Sequence, residues 1–265
     1  MKKFTVIFII MMVFLALLTG CSGTDEAQPS TSDLQAALTV SAAASLTDCM
    51  TEIQTAFNEQ YPQVTITDNF GSSGSLQQQI EQGAPADIFI SAGKKQMTAL
   101  KDGGLMVDES IKDILQNQLV LVVPSVSTAT IDSFEKLADA SIAKIAIGDP
   151  DSVPAGKYAQ QVFQNLNIAD SISGKLVLAK DVREVLSWVE TGNVDAGVVY
   201  TTDALNNDKV KVCATASEGS HDPIVYPVGI VKASTNQEAA KAFVDFLSTD
   251  TAKEIFTKYG FTPIL

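Results

Sequence analysis

Four short turns carry the residues of this 265-residue chain whose types and spacing could do chemistry. They are Ala42-Ala43-Ala44-Ser45-Leu46, Phe70-Gly71-Ser72-Ser73-Gly74-Ser75, the run Gly148 to Gly156 (GDPDSVPAG) and Asp181-Val182-Arg183-Glu184. Each is small or polar, and each leads into a segment with helical spacing. Ser45 with Asp48, and Asp181 with Glu184, have the separation of a capping box, which places Ser45 at an N-cap. If the Asp181 side chain satisfies a later amide, the Val182 N–H at the first helical position stays free for something else. Such turns suit anion binding, because a helix N-terminus offers unpaired N–H groups and the positive end of the helix dipole. Taken singly, each reads as an ordinary cap. Their recurrence after successive strands is what points to a site, since open α/β sheets bind ligands beyond the carboxyl ends of their strands.

Other chemistries lack their residues. The turn from Gly71 to Ser75 has no Gly-Lys-Ser/Thr for a P-loop and no G-x-S-x-G nucleophile elbow. One His and three Cys cannot make a His-rich metal site, a zinc cluster of ordinary spacing or a disulfide framework. With no nucleophile–base pair, an enzyme is disfavoured. A net charge of −13 argues against a nucleic-acid partner, which would need a basic surface. Lys157 and Arg183 are expected in surface or interlobe salt bridges, and His221 in a solvated loop. Cys49 and Cys213 either pair or stay as two thiols, and no disulfide is assigned.

The elements that must hold these turns alternate as β-α-β-α, with 46% hydrophobic and 18% charged residues, as in a folded globular protein. Strands are expected at 38–43, 63–69, 87–91, 119–123, 143–147, 175–179, 194–200, 209–214 and 225–231. Helices are expected at 46–59, 74–82, 94–102, 156–165, 182–190, 236–247 and 250–258. In the first of these, Leu46, Cys49, Met50, Ile53, Ala56 and Phe57 recur at helical spacing until Tyr61-Pro62. Apolar strands alternating with helices imply parallel sheets covered on both faces.

The N-terminus reads as a processing segment. Lys2 and Lys3 precede a run of fifteen residues, 4–18, apolar but for Thr5, too few for the roughly 20 of a spanning helix. Leu18-Thr19-Gly20-Cys21 then resembles the bacterial lipobox, which implies cleavage after residue 20 and lipid on Cys21. Residues 21–36 are polar and linker-like.

The pieces AAASL (42–46), FGSS (70–73), GAPADIFISA (83–92), GDPDSVPAGKY (148–158), DVR (181–183), VVY (198–200) and YGF (259–261) together resemble the molybdate-binding proteins of bacterial ABC transporters. The likeness spans about 38–263 in one register, and GAPADIFISA and VPAGKY are its most specific parts. It implies an α/β fold with two lobes of the type II periplasmic-binding-protein kind and the ligand in the cleft between them. Lobe I would be 37–119 with 226–265, and lobe II 120–225. Carried over position by position, the resemblance implies ligand contacts at Ser45, Ser73, Ala155, Val182 and Tyr200. The serines would offer hydroxyl and backbone donors, Ala155 and Val182 amides, and Tyr200 its phenol. Gly71 and Gly74, where other small residues also occur in such proteins, put loop rigidity in question.

A tetrahedral dianion that is fully deprotonated at neutral pH needs donors and no acceptors, which helix N-termini and a phenol supply without a cation. The expected protein is therefore an extracytoplasmic, lipid-anchored monomer that captures molybdate or tungstate for an ABC-transporter permease. It has no cofactor, no direct protein–metal bond and no nucleic-acid partner. A binding protein for sulfate or phosphate is the alternative.

Overall fold

The computed structural model describes residues 34–264, so the segment 1–20, Cys21 and most of 21–36 lie outside the described residues. The strands are β1 (Ala36–Ala43), β2 (Val64–Gly71), β3 (Ile88–Ile90), β4 (Lys112–Gln116), β5 (Leu119–Pro124) and β6 (Ile145–Gly148). They continue as β7 (Leu176–Ala179), β8 (Ala196–Tyr200), β9 (Val210–Thr215), β10 (Val225–Ile230) and β11 (Thr262–Pro263). Helices α1 (Thr47–Gln60), α2 (Ser73–Glu81), α3 (Lys94–Asp102), α4 (Pro154–Asn165) and α5 (Ala169–Ile172) come first. They are followed by α6 (Val182–Glu190), α7 (Thr201–Ala204), α8 (Gln237–Phe246) and α9 (Asp250–Lys258).

The strands form a six-stranded sheet in the order β11-β4-β10-β3-β1-β2 and a five-stranded sheet in the order β7-β6-β8-β5-β9. The chain leaves the first sheet through Asn117 and Gln118, builds the whole of the second, and returns through residues 216–224 to β10. This is the two-lobed α/β architecture expected from the sequence. The sheets are mixed rather than parallel. β1 is parallel to β2 and β3, and β6 to β7 and β8, but β10 runs against β3 and β4, and β5 against β8 and β9. The reason is that β5 and β10 enter directly from the other lobe, without the crossover helix that parallel neighbours require.

Packing follows the apolar periodicity. Helix α1 buries Cys49, Met50, Ile53 and Phe57 against the first sheet. The Phe57 ring meets Phe243 and Phe246 of α8 edge-on, with centroids 5.1 and 5.5 Å apart, a favoured aromatic geometry. In the second sheet β8 is buried along its whole length between α4 and α6, and α6 contributes Val185, Leu186 and Val189. The carboxyl ends of β1, β2, β6 and β7, which carry the four turns, and that of β8, which ends at Tyr200, meet at the junction of the lobes.

Candidate anion-binding site between the lobes

All five residues carried over by resemblance line one cavity, together with Ala43, Ala44, Gly71, Ser72, Ala92, Val153, Pro154 and Asp181. Its volume is about 10 Å³, far below the roughly 300–1,000 Å³ of sites for drug-sized molecules, which restricts the occupant to something small. Ser45 and Ser73 come from the first lobe, and Ala155, Val182 and Tyr200 from the second. All five are at most 5% exposed.

Each turn presents its group for a local reason. Ser72 caps α2 by accepting from the Ser75 N–H, so Ser73 occupies the first helical position with its amide ahead of the helix's own hydrogen-bond ladder. The Ser73 Oγ accepts from the Ala92 N–H at 2.9 Å, and this leaves the hydroxyl hydrogen to point elsewhere. Pro154 opens α4, where its missing N–H costs nothing, and Ala155 follows. Gly156 packs so closely on the end of β6 that a Cβ there would overlap the Gly148 carbonyl. In α6 the Asp181 Oδ1 accepts from the Glu184 N–H at 2.9 Å. The carboxylate is thereby turned back onto its own helix, and Val182 takes the first helical position. The capping box is not reciprocal here, because the Glu184 carboxylate accepts from Lys180 N–H rather than from Asp181.

Ser45 departs from its expected role. It lies inside a 3-10 turn, Ala44–Leu46, and caps nothing with its side chain; α1 starts two residues later. The tight turn carries the hydroxyl inward, where Ser45 Oγ and Tyr226 Oη are 2.8 Å apart. Asn117 Oδ1 accepts from the Gln118 N–H at 2.8 Å, which fixes the amide so that its Nδ2 hydrogens face Thr202 Oγ1 at 2.9 Å and Tyr226 Oη at 3.3 Å. An amide nitrogen only donates. Tyr226 Oη therefore accepts from Asn117, and in its bond with Ser45 Oγ either hydroxyl can be the donor.

Tyr200 ends β8 and is 1% exposed, and its Oη has no hydrogen-bond partner among the described residues. Its ring is held by Tyr226, with centroids 6.0 Å apart. A buried hydroxyl without a partner is costly, by about 1–3 kcal/mol, unless a ligand satisfies it. Burial pushes both phenols well above their ordinary pKa, so each keeps its proton and remains a donor.

The electrostatics around the cavity are arranged so that nearby carboxylates do little harm to an anion. The Tyr200 N–H donates to Asp203 Oδ2 at 3.1 Å. Burial of Asp203 raises its pKa to about 7, against the lowering effect of Arg183. Arg183 donates to both oxygens of Asp48, at 2.8 and 3.3 Å, across the lobe junction, and lies 3.9 Å from Asp203. The lobes also touch through main chain. The Gly74 N–H donates to the Ser152 carbonyl at 2.9 Å, and a Cβ on Gly74 would lie 2.5 Å from that oxygen and 2.8 Å from Ser152 Cα. Only glycine permits this approach.

Arg183 makes the interlobe pair described above, whereas Lys157 bonds Gln160 and lines a neighbouring cleft with Lys94, Lys95 and Tyr158. His221 is half-buried rather than solvated, with Nδ1 2.7 Å from the Asp222 carbonyl and its ring 5.7 Å from that of Tyr158. Cys49 and Cys213 are both free thiols. Asn117, Tyr226 and Asp203 are not singled out by the sequence, and Gly74 is singled out only for loop rigidity. A tyrosine amid the apolar run of β10 is the one available signal, since a buried phenol usually has a partner.

The chain is similar to known proteins of one family. The profile of the bacterial extracellular solute-binding protein family matches residues 38–262. The Bacillus subtilis (strain 168) protein YvgL, named as a candidate ABC transporter substrate-binding lipoprotein, is 44% identical over 98% of both chains. The molybdate-binding protein ModA of Escherichia coli (strain K12) is 42% identical over 85% of this chain and 88% of its own. The solved substrate-binding domain of a candidate molybdenum ABC transporter from Clostridium difficile is 47% identical, with TM-score 0.68, over 87% of this chain and all of that one. From its fold, its converging turns and these relatives, the chain belongs to the bacterial extracellular solute-binding proteins, in the family of the molybdate-binding proteins of ABC transporters.

Proposed function

We propose that this protein captures molybdate, and tungstate equally, outside the cytoplasm and delivers it to an ABC-transporter permease. The carrying observation is the convergence of Ser45, Ser73, Ala155, Val182 and Tyr200, from both lobes, on one small buried cavity. The groups these residues can turn to the cavity are N–H and O–H donors, and the Tyr200 Oη has no other partner among the described residues. A dianion with four acceptor oxygens and no proton complements that set. Charge-assisted hydrogen bonds contribute about 1.5–3 kcal/mol each. Several of them, less ordering and desolvation, give affinities on the order of micromolar to nanomolar. The acidic surface does not oppose this, because screening over roughly 8–10 Å blunts distant charges.

In this reading the lobe boundaries lie one residue from those expected, at 37–118 with 225–265 and at 119–224, since Leu119 begins β5 and Val225 begins β10, and the lobes close over the anion on the two crossings at 117–118 and 216–224. The permease would then recognise the closed shape. Isothermal titration with molybdate, tungstate, sulfate and phosphate tests the proposal: tight binding of the first two with sulfate weaker by more than tenfold is expected. Sulfate binding within tenfold of molybdate refutes it.

We further infer that lipid on Cys21 holds the monomeric protein at the membrane. The lipobox-like LTGC supports this, as does the lipoprotein name of YvgL, and no helix among the described residues is long and apolar enough to cross a membrane. More than one acyl chain is needed for stable attachment. Labelling with a fatty-acid analogue should mark the wild type and not Cys21→Ser, and unlabelled wild type that stays at the membrane refutes the anchor.

A further inference from the structure

We propose that the cleft beside the anion cavity, between α3 of the first lobe and α4 of the second, is a second binding site, which takes a small organic carboxylate and is completed when the lobes close. The link to closure rests on the oxyanion reading of the neighbouring cavity. The cleft has a volume of about 490 Å³, within the roughly 300–1,000 Å³ of small-molecule sites. Only a thin wall divides it from the anion cavity. Pro154 lines both, and of the consecutive residues Ala92 and Gly93 the first faces the anion cavity and the second the cleft.

Two polar side chains in its lining, Gln96 and Tyr158, are each only 8% exposed. No hydrogen bond among the described residues uses the Gln96 amide or the Tyr158 hydroxyl. Buried polar groups are nearly always partnered, so two that share one cleft point to a ligand there. Burial, with a smaller contribution from Asp222, pushes the Tyr158 phenol up to about 12, and it stays a donor. The charge of the ligand follows from the lysines. Lys94 and Lys95 occupy the first turn of α3, which holds no acidic residue and has no side-chain cap on Gly93. Cations at that positive end of the helix dipole are unfavourable, and a bound anion reverses the penalty. Lys94 has a carboxylate partner in Asp113. Lys95 and Lys157, which also line the cleft, are in no salt bridge among the described residues. The one acid in the lining, Asp222, is engaged: its Oδ2 accepts from Gln161 Nε2 at 2.6 Å, and its N–H donates to Gln161 Oε1 at 3.0 Å. Pro154, Pro223, Val225 and the Tyr158 ring supply apolar walls, which an organic body covers and an inorganic anion leaves wet.

The two walls belong to different lobes. Gln96 and Lys95 stand on α3, and Lys157 and Tyr158 on α4. They meet at Gly93, where a Cβ would lie 3.3 Å from Tyr158 Oη and 3.4 Å from Pro154 Cβ. Moving the lobes apart would separate Gln96 from Tyr158 and leave half a site on each. A carboxylate that bridges them therefore binds the closed protein better than the open one, and so does the oxyanion. Two ligands that favour one state must raise each other's affinity by the same factor.

The experiment is calorimetric titration of benzoate into the molybdate-loaded protein at constant ionic strength. Acetate serves as the charge without the body, and benzamide as the body without the charge. Benzoate should bind with a dissociation constant below about 1 mM, and the other two at least roughly tenfold more weakly. Tyr158→Phe, and separately Lys95→Gln combined with Lys157→Gln, should each weaken benzoate by about three- to tenfold. Protein without molybdate should bind benzoate at least about threefold more weakly, and saturating benzoate should tighten molybdate by the same factor. Benzoate that does not bind by about 10 mM, that binds loaded and free protein equally, or that displaces molybdate overturns the inference and leaves the oxyanion reading intact. A protein that does not bind molybdate in the same series overturns that reading, and the coupling with it.

Discussion

Replacing Tyr200 by Phe separates a ligand-binding hydroxyl from a structural one. In the protein the phenol is 1% exposed and its oxygen has no partner among the described residues, so deleting the oxygen breaks no internal hydrogen bond. The ring, which packs against Tyr226, is retained. Thermal melting without anion should therefore be unchanged or higher, by up to the roughly 1–3 kcal/mol that an unsatisfied buried polar group costs. Molybdate affinity should move the other way. One hydrogen bond to a charged ligand is worth about 1.5–3 kcal/mol, which weakens binding roughly ten- to a hundredfold. At a fixed saturating concentration, the ligand-induced rise in melting temperature should shrink accordingly. Calorimetric titration and differential scanning calorimetry on both proteins give the two numbers. A variant that binds molybdate within twofold of the wild type, or that melts clearly lower without ligand, refutes the assignment.

Gly74→Ala should leave melting without anion equal or higher, since Ala favours a helix by about 1 kcal/mol over Gly. Molybdate binding should nevertheless fall at least tenfold, because the new Cβ meets the Ser152 backbone at 2.5 Å; unaltered affinity would show that the closed contact plays no part. Ser73→Asp should lose far more affinity than Ser73→Ala, as measured by titration, because a carboxylate at the donor turn repels the ligand and accepts the bonds meant for it. Equal losses would mean that Ser73 does not face the anion. Asp203 gives a pH signature. Its folded pKa, raised to about 7 from 3.8, means that the folded state holds a proton the unfolded state releases. Its effect is absent below pH 3.8, destabilises progressively up to about pH 7 and is constant above. Denaturant unfolding should show the stability of Asp203→Asn gaining on that of the wild type across this window, by about 4 kcal/mol at most; parallel profiles would contradict the buried, raised carboxyl.

The elements most legible in the sequence are those whose cause is local. Helices α3, α6 and α9 occur at the expected residues, because caps and apolar spacing lie within the segment itself. The Ser72 and Asp181 turns are visible for the same reason. Strand β4 (KDILQ) is not, because only Ile114 and Leu115 are buried in it and it exists through pairing with β10 and β11 from the far end of the chain. Ser45 has a plausible local role in a capping box, yet its hydroxyl is claimed by a residue 181 positions away. Gly74 reads as a source of loop flexibility, and in the structure it is a point of contact between lobes. Asn117 carries no sequence signal at all, since two of the three groups its amide bonds, on Thr202 and Tyr226, come from distant parts of the chain.

The placement of β10 between β3 and β4 has a consequence for the order in which the protein can be completed. Strands β5 to β9 lie wholly within residues 119–215, so the second lobe has all its parts once that stretch has emerged from the ribosome or the export channel. The first lobe does not. Until residues 225–230 arrive, β4 has no strand to join it to β3, and a sheet begun at residue 36 stays in two pieces through most of synthesis. A chain cut short before residue 225 would carry one finished lobe and one with an open sheet edge, the kind of surface that proteases and chaperones recognise. Residues 225–230 are thus what closes a sheet begun at residue 36.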